Sequence, residues 1–152
     1  LFFVILGKDK FVAMSPSFNH AYISANLVVL LRKYTNYTVL SELSLEIQGK
    51  EYIPDVAVYS KRKMQPSKDI IRMKEMPLLA IEILSPKQNS LDVIEKIGVY
   101  FENGVPTCWF IEPYLHTLTV YQSLENFTTY TIDMELEDKK LGINMSVSEV
   151  FE

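Results

Sequence analysis

Three residues far apart in the chain have types and positions that point to chemistry: Asp55, Glu82 and Lys96. Glu82 stands inside LLAIEILSP, Leu78 to Pro86, an otherwise apolar run that reads as a buried central strand. An unpaired charged carboxylate there costs on the order of several kcal/mol unless it is protonated, paired or bound to a metal. Asp55 opens a second apolar run just after Pro54, and strands on either side of a long loop can be neighbours. Together the two acids could hold a hard cation, because magnesium takes oxygen ligands and needs only about one or two protein carboxylates, with water and substrate phosphate completing its shell. The backbone carbonyl of Ile83 is a further oxygen. The alternative is structural: Asp55 turns the chain after Pro54, and Glu82 pairs with a basic side chain.

Lys96 follows Asp92 by four residues, so on a helix the two share a face and form a pair worth only about 0.3–0.5 kcal/mol. The functional alternative turns Lys96 toward the acids, where an ammonium can position an attacking water or stabilise charge building on a phosphate. Lys87, just after the Glu82 run, competes for that role. His20 is either a satisfied structural histidine or, near a phosphate, a hydrogen-bond donor or proton shuttle. Cys108 beside Trp109 reads as core. No serine triad, phosphate-cradling glycine loop or CxxC pair is present, and the early GKDK lacks the flanking glycines of a P-loop, so a nucleotide cofactor is not expected.

These residues need elements to position them. Leu1 to Leu6 and Phe11 to Met14, around GKDK, predict a hairpin. Ser17 caps a predicted helix to about Tyr34, with Phe18, Ala21, Tyr22, Ala25, Val28 and Val29 at helical spacing and Leu27, Leu30 and Leu31 widening the face. Thr38 to Gln48 predicts a strand, GKE a turn, and Ile53 to Ser60 the strand that carries Asp55; in it Asp55, Ala57 and Tyr59 point one way, Val56 and Val58 the other. Lys61 to Lys74 predicts a basic loop with a helical turn at KDIIRMK. The Glu82 strand follows, then a helix from Leu91 to about Asn103, capped by Ser90, with Leu91, Ile94, Ile97 and Phe101 as its core stripe and Gly104 as its stop. VPTCWFIEP and TLTVYQS predict a hairpin and FTTYTI a further strand. MELEDKK predicts a surface turn, and LGINMSVSEVF a short strand and the start of a helix.

With 152 residues, 48% hydrophobic and 22% charged, one globular domain spanning residues 1–152 is expected. Because the chain opens on Leu1, a short N-terminal piece is expected to be missing. No apolar run is long enough for a membrane span and LFFVIL is too short for a signal sequence, so no membrane partner is expected. One cysteine excludes an intrachain disulfide, and with two histidines leaves no zinc-type cluster; a cytoplasmic location is expected. The net charge of −4 argues against nucleic-acid binding by overall charge. Its distribution says more: Lys61, Arg62, Lys63, Lys68, Arg72 and Lys74 face Asp69 alone in their segment, whereas only Lys139 and Lys140 are basic after Lys96.

MSPSFNHA, IPDVAVYS, MPLLAIEILSPKQNSLDVIEKIGVYFENGVPTCWFIEP and TLTVY, in that order from Met14 to Tyr121, resemble the Uma-type family of restriction endonucleases in the PD-(D/E)XK nuclease superfamily. The resemblance implies an α/β fold, a restriction-endonuclease-like core in which helices flank a central mixed sheet. It implies that Asp55 and Glu82 are ligands for Mg2+ or Mn2+, and that one metal activates water for attack on a DNA phosphodiester. Repulsion and desolvation should then raise the carboxylate pKa values, so that metal occupancy increases with pH. The superfamily lysine belongs two residues after the second acid, where this chain has Leu84; the resemblance moves that role to Lys96, with Asp92 orienting it and His20 matching the histidine after Ser-Pro-Ser. LFFVILGK lacks the acid and Asp-Gly of the family's N-terminal hairpin. The implied partners are the DNA phosphate backbone, contacted through the Lys61 to Lys74 loop, and a homodimer mate. The competing readings are a nuclease-like fold kept as a non-catalytic binding or assembly module, and the same metal site acting on RNA.

Overall fold

A computed structural model of the chain describes the backbone of residues 2–6 and 10–14 and the whole of residues 16–152. In chain order the elements are β1 (Phe2–Leu6), β2 (Lys10–Met14), α1 (Phe18–Leu31), β3 (Tyr37–Ser41), β4 (Leu45–Ile47), β5 (Lys50–Tyr52), β6 (Val56–Ser60) and β7 (Leu79–Ile83). They continue as α2 (Ser90–Glu102), β8 (Thr107–Glu112), β9 (Thr117–Tyr121), β10 (Phe127–Thr131), β11 (Glu135–Asp138), β12 (Ile143–Ser146) and α3 (Ser148–Phe151). The expected N-terminal hairpin is β1–β2, paired antiparallel; the turn residues 7–9 lie outside the described residues.

A six-stranded mixed sheet in the order β10-β9-β8-β7-β6-β3 forms the centre. Only β7 and β8 run parallel, joined by the crossover helix α2, and every other pairing in that sheet is antiparallel. β7 lies among the inner strands and all five of its residues are buried, which explains why LAIEI shows little polar alternation. The two faces of the sheet carry separate cores. Val56, Val58, Ile81 and Ile83 pack with α1, β11, β12 and α3, whereas Ala57, Tyr59 and Ala80 pack with α2 and β4. The expected alternation along β6 is therefore present.

Several expected elements differ. The predicted Thr38 to Gln48 strand is two strands, β3 and β4, broken where Glu42 takes a positive φ of 51° and donates its N–H to the Asp55 carbonyl. The predicted GKE turn shrinks to Gln48 and Gly49, both at positive φ, and Lys50 begins β5. The Asp55 strand starts at Val56 rather than Ile53. No helix forms at KDIIRMK; instead Met73 makes a parallel β-bridge to Leu45 along the edge of β4, an extended contact that a helical turn could not make. Asn89, not Ser90, caps α2, its side chain accepting the Asp92 N–H. Gly104, at φ 92°, follows the helix as expected, in a left-handed conformation that glycine adopts without steric cost.

Both helices turn a different face inward from the one their spacing suggested. In α1 the buried residues are His20, Ile23, Leu27, Leu30 and Leu31, while Phe18, Tyr22 and Val29 are exposed; the helix also ends at Leu31, short of Tyr34. Apolar side chains surround this helix, so periodicity alone could not select the face. In α2 the buried stripe is Val93, Ile97 and Tyr100, and Leu91 is exposed.

The acidic MELEDKK is not a surface turn: it holds β11, whose Leu136 and Asp138 are fully buried. The Asp138 carboxylate accepts hydrogen bonds from Trp109 Nε1 (2.9 Å), Thr107 Oγ1 (3.2 Å) and the Leu141 amide (3.3 Å). Three donors make burial of that charge tolerable.

Two stability measurements check these assignments. In chemical denaturation, Leu27→Ala should cost about 2–5 kcal/mol, whereas Val29→Ala should change stability by less than about 0.5 kcal/mol; the reverse order would put the wrong face of α1 inside. Asp138→Ala should cost about 3 kcal/mol by stranding the buried Trp109 and Thr107 donors, and a loss below about 1 kcal/mol would show that those bonds are not made.

Candidate active site

Asp55 immediately precedes β6, and Glu82 is the fourth residue of the antiparallel neighbour β7. Val56 pairs with Ile81, so the two acids meet at the same end of the two strands. Asp55 is fastened there by its own backbone and side chain. Its N–H donates to the Ile81 carbonyl (3.0 Å), and its Oδ2 accepts the Ile83 N–H at 2.7 Å. A carboxylate thus takes the place of a ladder carbonyl at the end of the pairing, and Asp55 stays 5% exposed.

Glu82 faces α2 and is 2% exposed. The Lys96 ammonium reaches both of its oxygens, Oε1 at 2.7 Å and Oε2 at 2.8 Å, and the buried Tyr100 hydroxyl donates to Oε1 at 2.7 Å. Lys96 and Tyr100 are one helical turn apart, so one face of α2 supplies both donors. Burial lifts the Glu82 carboxyl above the ordinary carboxylate range; Lys96 opposes this and Asp55 adds to it, so the two acids feel each other. Burial, followed by the charge of Glu82, also pushes the Tyr100 hydroxyl well above its usual value, which keeps it a donor.

α1 brings His20 to the same end. The Ser17 side chain caps the helix by accepting the His20 N–H at 3.3 Å, and Nε2 comes to 3.0 Å from Asp55 Oδ1. That approach is out of line for a hydrogen bond, and neither ring nitrogen has an aligned partner among the described residues although His20 is only 6% exposed. A buried, unsatisfied imidazole beside a carboxylate calls for explanation in a native structure.

Of the residues singled out from the sequence, His20, Asp55, Glu82 and Lys96 therefore come together, with Ile83 contributing its N–H to Asp55. Asp92 is exposed in the first turn of α2, where a carboxylate favours the helix N-terminus, and Lys87 is exposed in the connection between β7 and α2. The Lys61 to Lys74 loop leaves β6 and rejoins β7 at the strand ends remote from Asp55 and Glu82. Several of its bases already face acids: Arg62 makes two bonds to Glu75 (2.9 and 3.0 Å), Arg72 lies 3.5 Å from Glu51, and Lys74 lies 3.8 Å from Glu46. Tyr100 was missed in the sequence. Its position four residues after Lys96 was the available signal, hidden because the apolar stripe was drawn through Phe101 instead.

The oxygens open to a hard cation here are those of two carboxylates, beside the His20 imidazole. Among the described residues no three His, Cys, Asp or Glu side chains group closely enough to hold a metal ion. No helix of the described residues is long and apolar enough to cross a membrane.

Among solved structures, the chain is similar to one described as a "putative nuclease belonging to DUF820 from Anabaena variabilis ATCC 29413", with a TM-score of 0.78, 21% identity, and coverage of 93% of this chain and 86% of that one. At that identity the likeness shows the fold, a restriction-endonuclease-like mixed sheet flanked by helices. The DrdV–DNA complex matches at a TM-score of 0.40 and 11% identity, over 74% of this chain and 9% of that chain, too remote to carry an argument. No curated protein matches the chain. The family model for Uma2, described as "Putative restriction endonuclease", matches residues 5–142, and the chain belongs to that family.

Proposed function

We propose that this Uma2 protein is a metal-dependent endonuclease that hydrolyses DNA phosphodiester bonds, with Asp55 and Glu82 as the metal-binding carboxylates and Lys96 as the third catalytic group. The observation that carries this reading is the convergence of His20, Asp55, Glu82 and Lys96 at one end of β6 and β7, with the buried His20 imidazole 3.0 Å from Asp55. Asp55 and Glu82, with the Ile83 carbonyl as a further oxygen, would hold Mg2+ or Mn2+, which when bound supplies Lewis-acid activation of a water. The protein's own groups divide the remaining work. Lys96 places a positive charge where negative charge grows on the phosphate. His20 Nε2 is placed to donate to a phosphate oxygen or to pass a proton. Tyr100 holds Glu82 Oε1, which fixes the carboxylate plane.

A second reading, a nuclease-like fold kept as a binding module, draws on a specific observation: Lys96 and Tyr100 already satisfy Glu82 as a structural ion pair would. Nicking of supercoiled plasmid separates the two readings, with an RNA substrate run alongside. With Mg2+ or Mn2+ the wild type should cleave DNA, and Asp55→Asn and Glu82→Gln should each lower the rate at least about 100-fold with unchanged circular dichroism. Cleavage that survives both substitutions refutes the site. Absence of cleavage, together with no calorimetric metal binding, favours the module.

The raised Glu82 pKa gives a second test. Protons compete with a cation at this carboxylate, so Mg2+ affinity measured by calorimetry should climb as pH rises through the raised value. Stability without added metal should move the opposite way. A folded-state pKa above the unfolded 4.5 contributes stability that is full below that value and lost as pH rises through the folded one. Glu82→Gln should flatten both trends; two unchanged profiles would remove Glu82 from the titration.

A further inference from the structure

Three loops meet at the carboxyl ends of the parallel strands β7 and β8: the entry to α1, the β7–α2 connection and the β8–β9 turn. They enclose a groove of about 530 Å3. In open α/β sheets, ligands bind in the crevice outside the carboxyl ends of the strands, and small-molecule sites have volumes of about 300–1,000 Å3. Two of its lining residues lie close in sequence to residues of the candidate active site. Leu84, in its wall, is two residues past Glu82, and Asn19, on its rim, precedes His20.

Its surfaces are of two kinds. Leu84, Pro86, Pro113 and Leu115 give apolar walls, and Tyr114 stands 95% exposed at the lip, with no core to serve. The polar lining includes Glu112, which accepts the Ser90 hydroxyl through Oε1 at 3.1 Å and, as a carboxylate, has acceptor capacity to spare. An exposed aromatic ring beside apolar walls suits a planar heterocycle, because stacking is tolerant of which base is stacked. An acceptor-only carboxylate repels a phosphate but takes an amino hydrogen, as it does from cytosine N4; thymine has no amino group to offer.

We propose that the groove receives one unstacked nucleobase of the strand whose phosphate lies at the Asp55–Glu82 site, stacked against Tyr114 and donating its exocyclic amino group to Glu112. The inference rests on the nuclease reading and narrows its substrate to DNA with a single-stranded or displaced nucleotide beside the scissile phosphate. Glu112 is then a specificity residue, favouring amino-bearing bases over thymine.

Amide chemical shifts of the full chain, followed during titration with dCMP, dTMP and deoxyribose 5-phosphate, test this directly. The expected result is saturable shifts at Asn19, Leu84, Gln88, Tyr114 and Leu115 with dCMP, binding of dTMP at least about fivefold weaker, and none with the sugar phosphate. Tyr114→Ala, at an exposed position, should weaken dCMP about tenfold, and Glu112→Gln, whose amide both donates and accepts, should erase the preference between dCMP and dTMP. Absence of saturable shifts at these residues, or equal affinity of the wild type for dCMP and dTMP, overturns the proposal. Cleavage by the same preparation of supercoiled plasmid and of a duplex carrying a single-stranded gap keeps the two failures apart. Cleavage without groove shifts rejects the groove and leaves the nuclease reading standing, whereas groove shifts without cleavage leave a nucleotide site and reject the nuclease.

Discussion

The structure depends on how one carboxylate is kept inside an apolar strand. Glu82 is 2% exposed, and burial is the largest cause that drives its carboxyl above the ordinary range. Lys96 and Tyr100 offset that cost by bringing three short contacts to its two oxygens. Breaking such a buried arrangement by removing one partner typically costs about 3–5 kcal/mol, so the placement of α2 is an electrostatic requirement as well as a packing one. The end of the helix serves the same purpose. The Val105 N–H returns to the Tyr100 carbonyl at 3.0 Å beyond Gly104, which pins the turn that carries the hydroxyl.

Asp55 solves a different problem. It sits where the β6–β7 ladder ends, and its side chain accepts the Ile83 amide in place of a backbone carbonyl. One acid is therefore held by backbone and the other by side chains from a helix, at the same end of two adjacent strands. Their mutual influence is visible in the upward push of Asp55 on Glu82, which Lys96 opposes.

Much of this was legible in the sequence because an acid inside LLAIEIL must be protonated, paired or bound to a metal. The strand after Asp55, the crossover helix and the Gly104 stop follow from patterns whose physical causes are local, alternation and left-handed backbone, although the strand start and the helix cap each fell one or more residues from where they were expected. The inward face of α1 was not legible, since Ile23, Leu27 and Leu30 on one side are matched by Phe18, Tyr22 and Val29 on the other. Only tertiary packing distinguishes them. β11 was hidden for the opposite reason: ELED has one apolar residue, and the burial of Asp138 rests on donors from Thr107 and Trp109, about thirty residues away. Tyr100 illustrates a third limit. A tyrosine in an amphipathic stripe looks like core, and only the carboxylate opposite gives its hydroxyl a role.

The position of Lys96 bears on why Leu84 stands where the PD-(D/E)XK pattern, which this chain resembles, has its lysine. Residues two apart on a strand share a face, so Glu82 and Leu84 both look toward α2, and Leu84 packs into the core on that side. A lysine at 84 and a lysine reaching down from α2 would therefore enter the same space from different backbones. The helix route has a structural advantage in this chain. Its ammonium can span both oxygens of Glu82 while Leu84 completes the wall of the neighbouring groove. With Lys96 supplied from α2, the residue two positions past Glu82 is apolar and lines the groove.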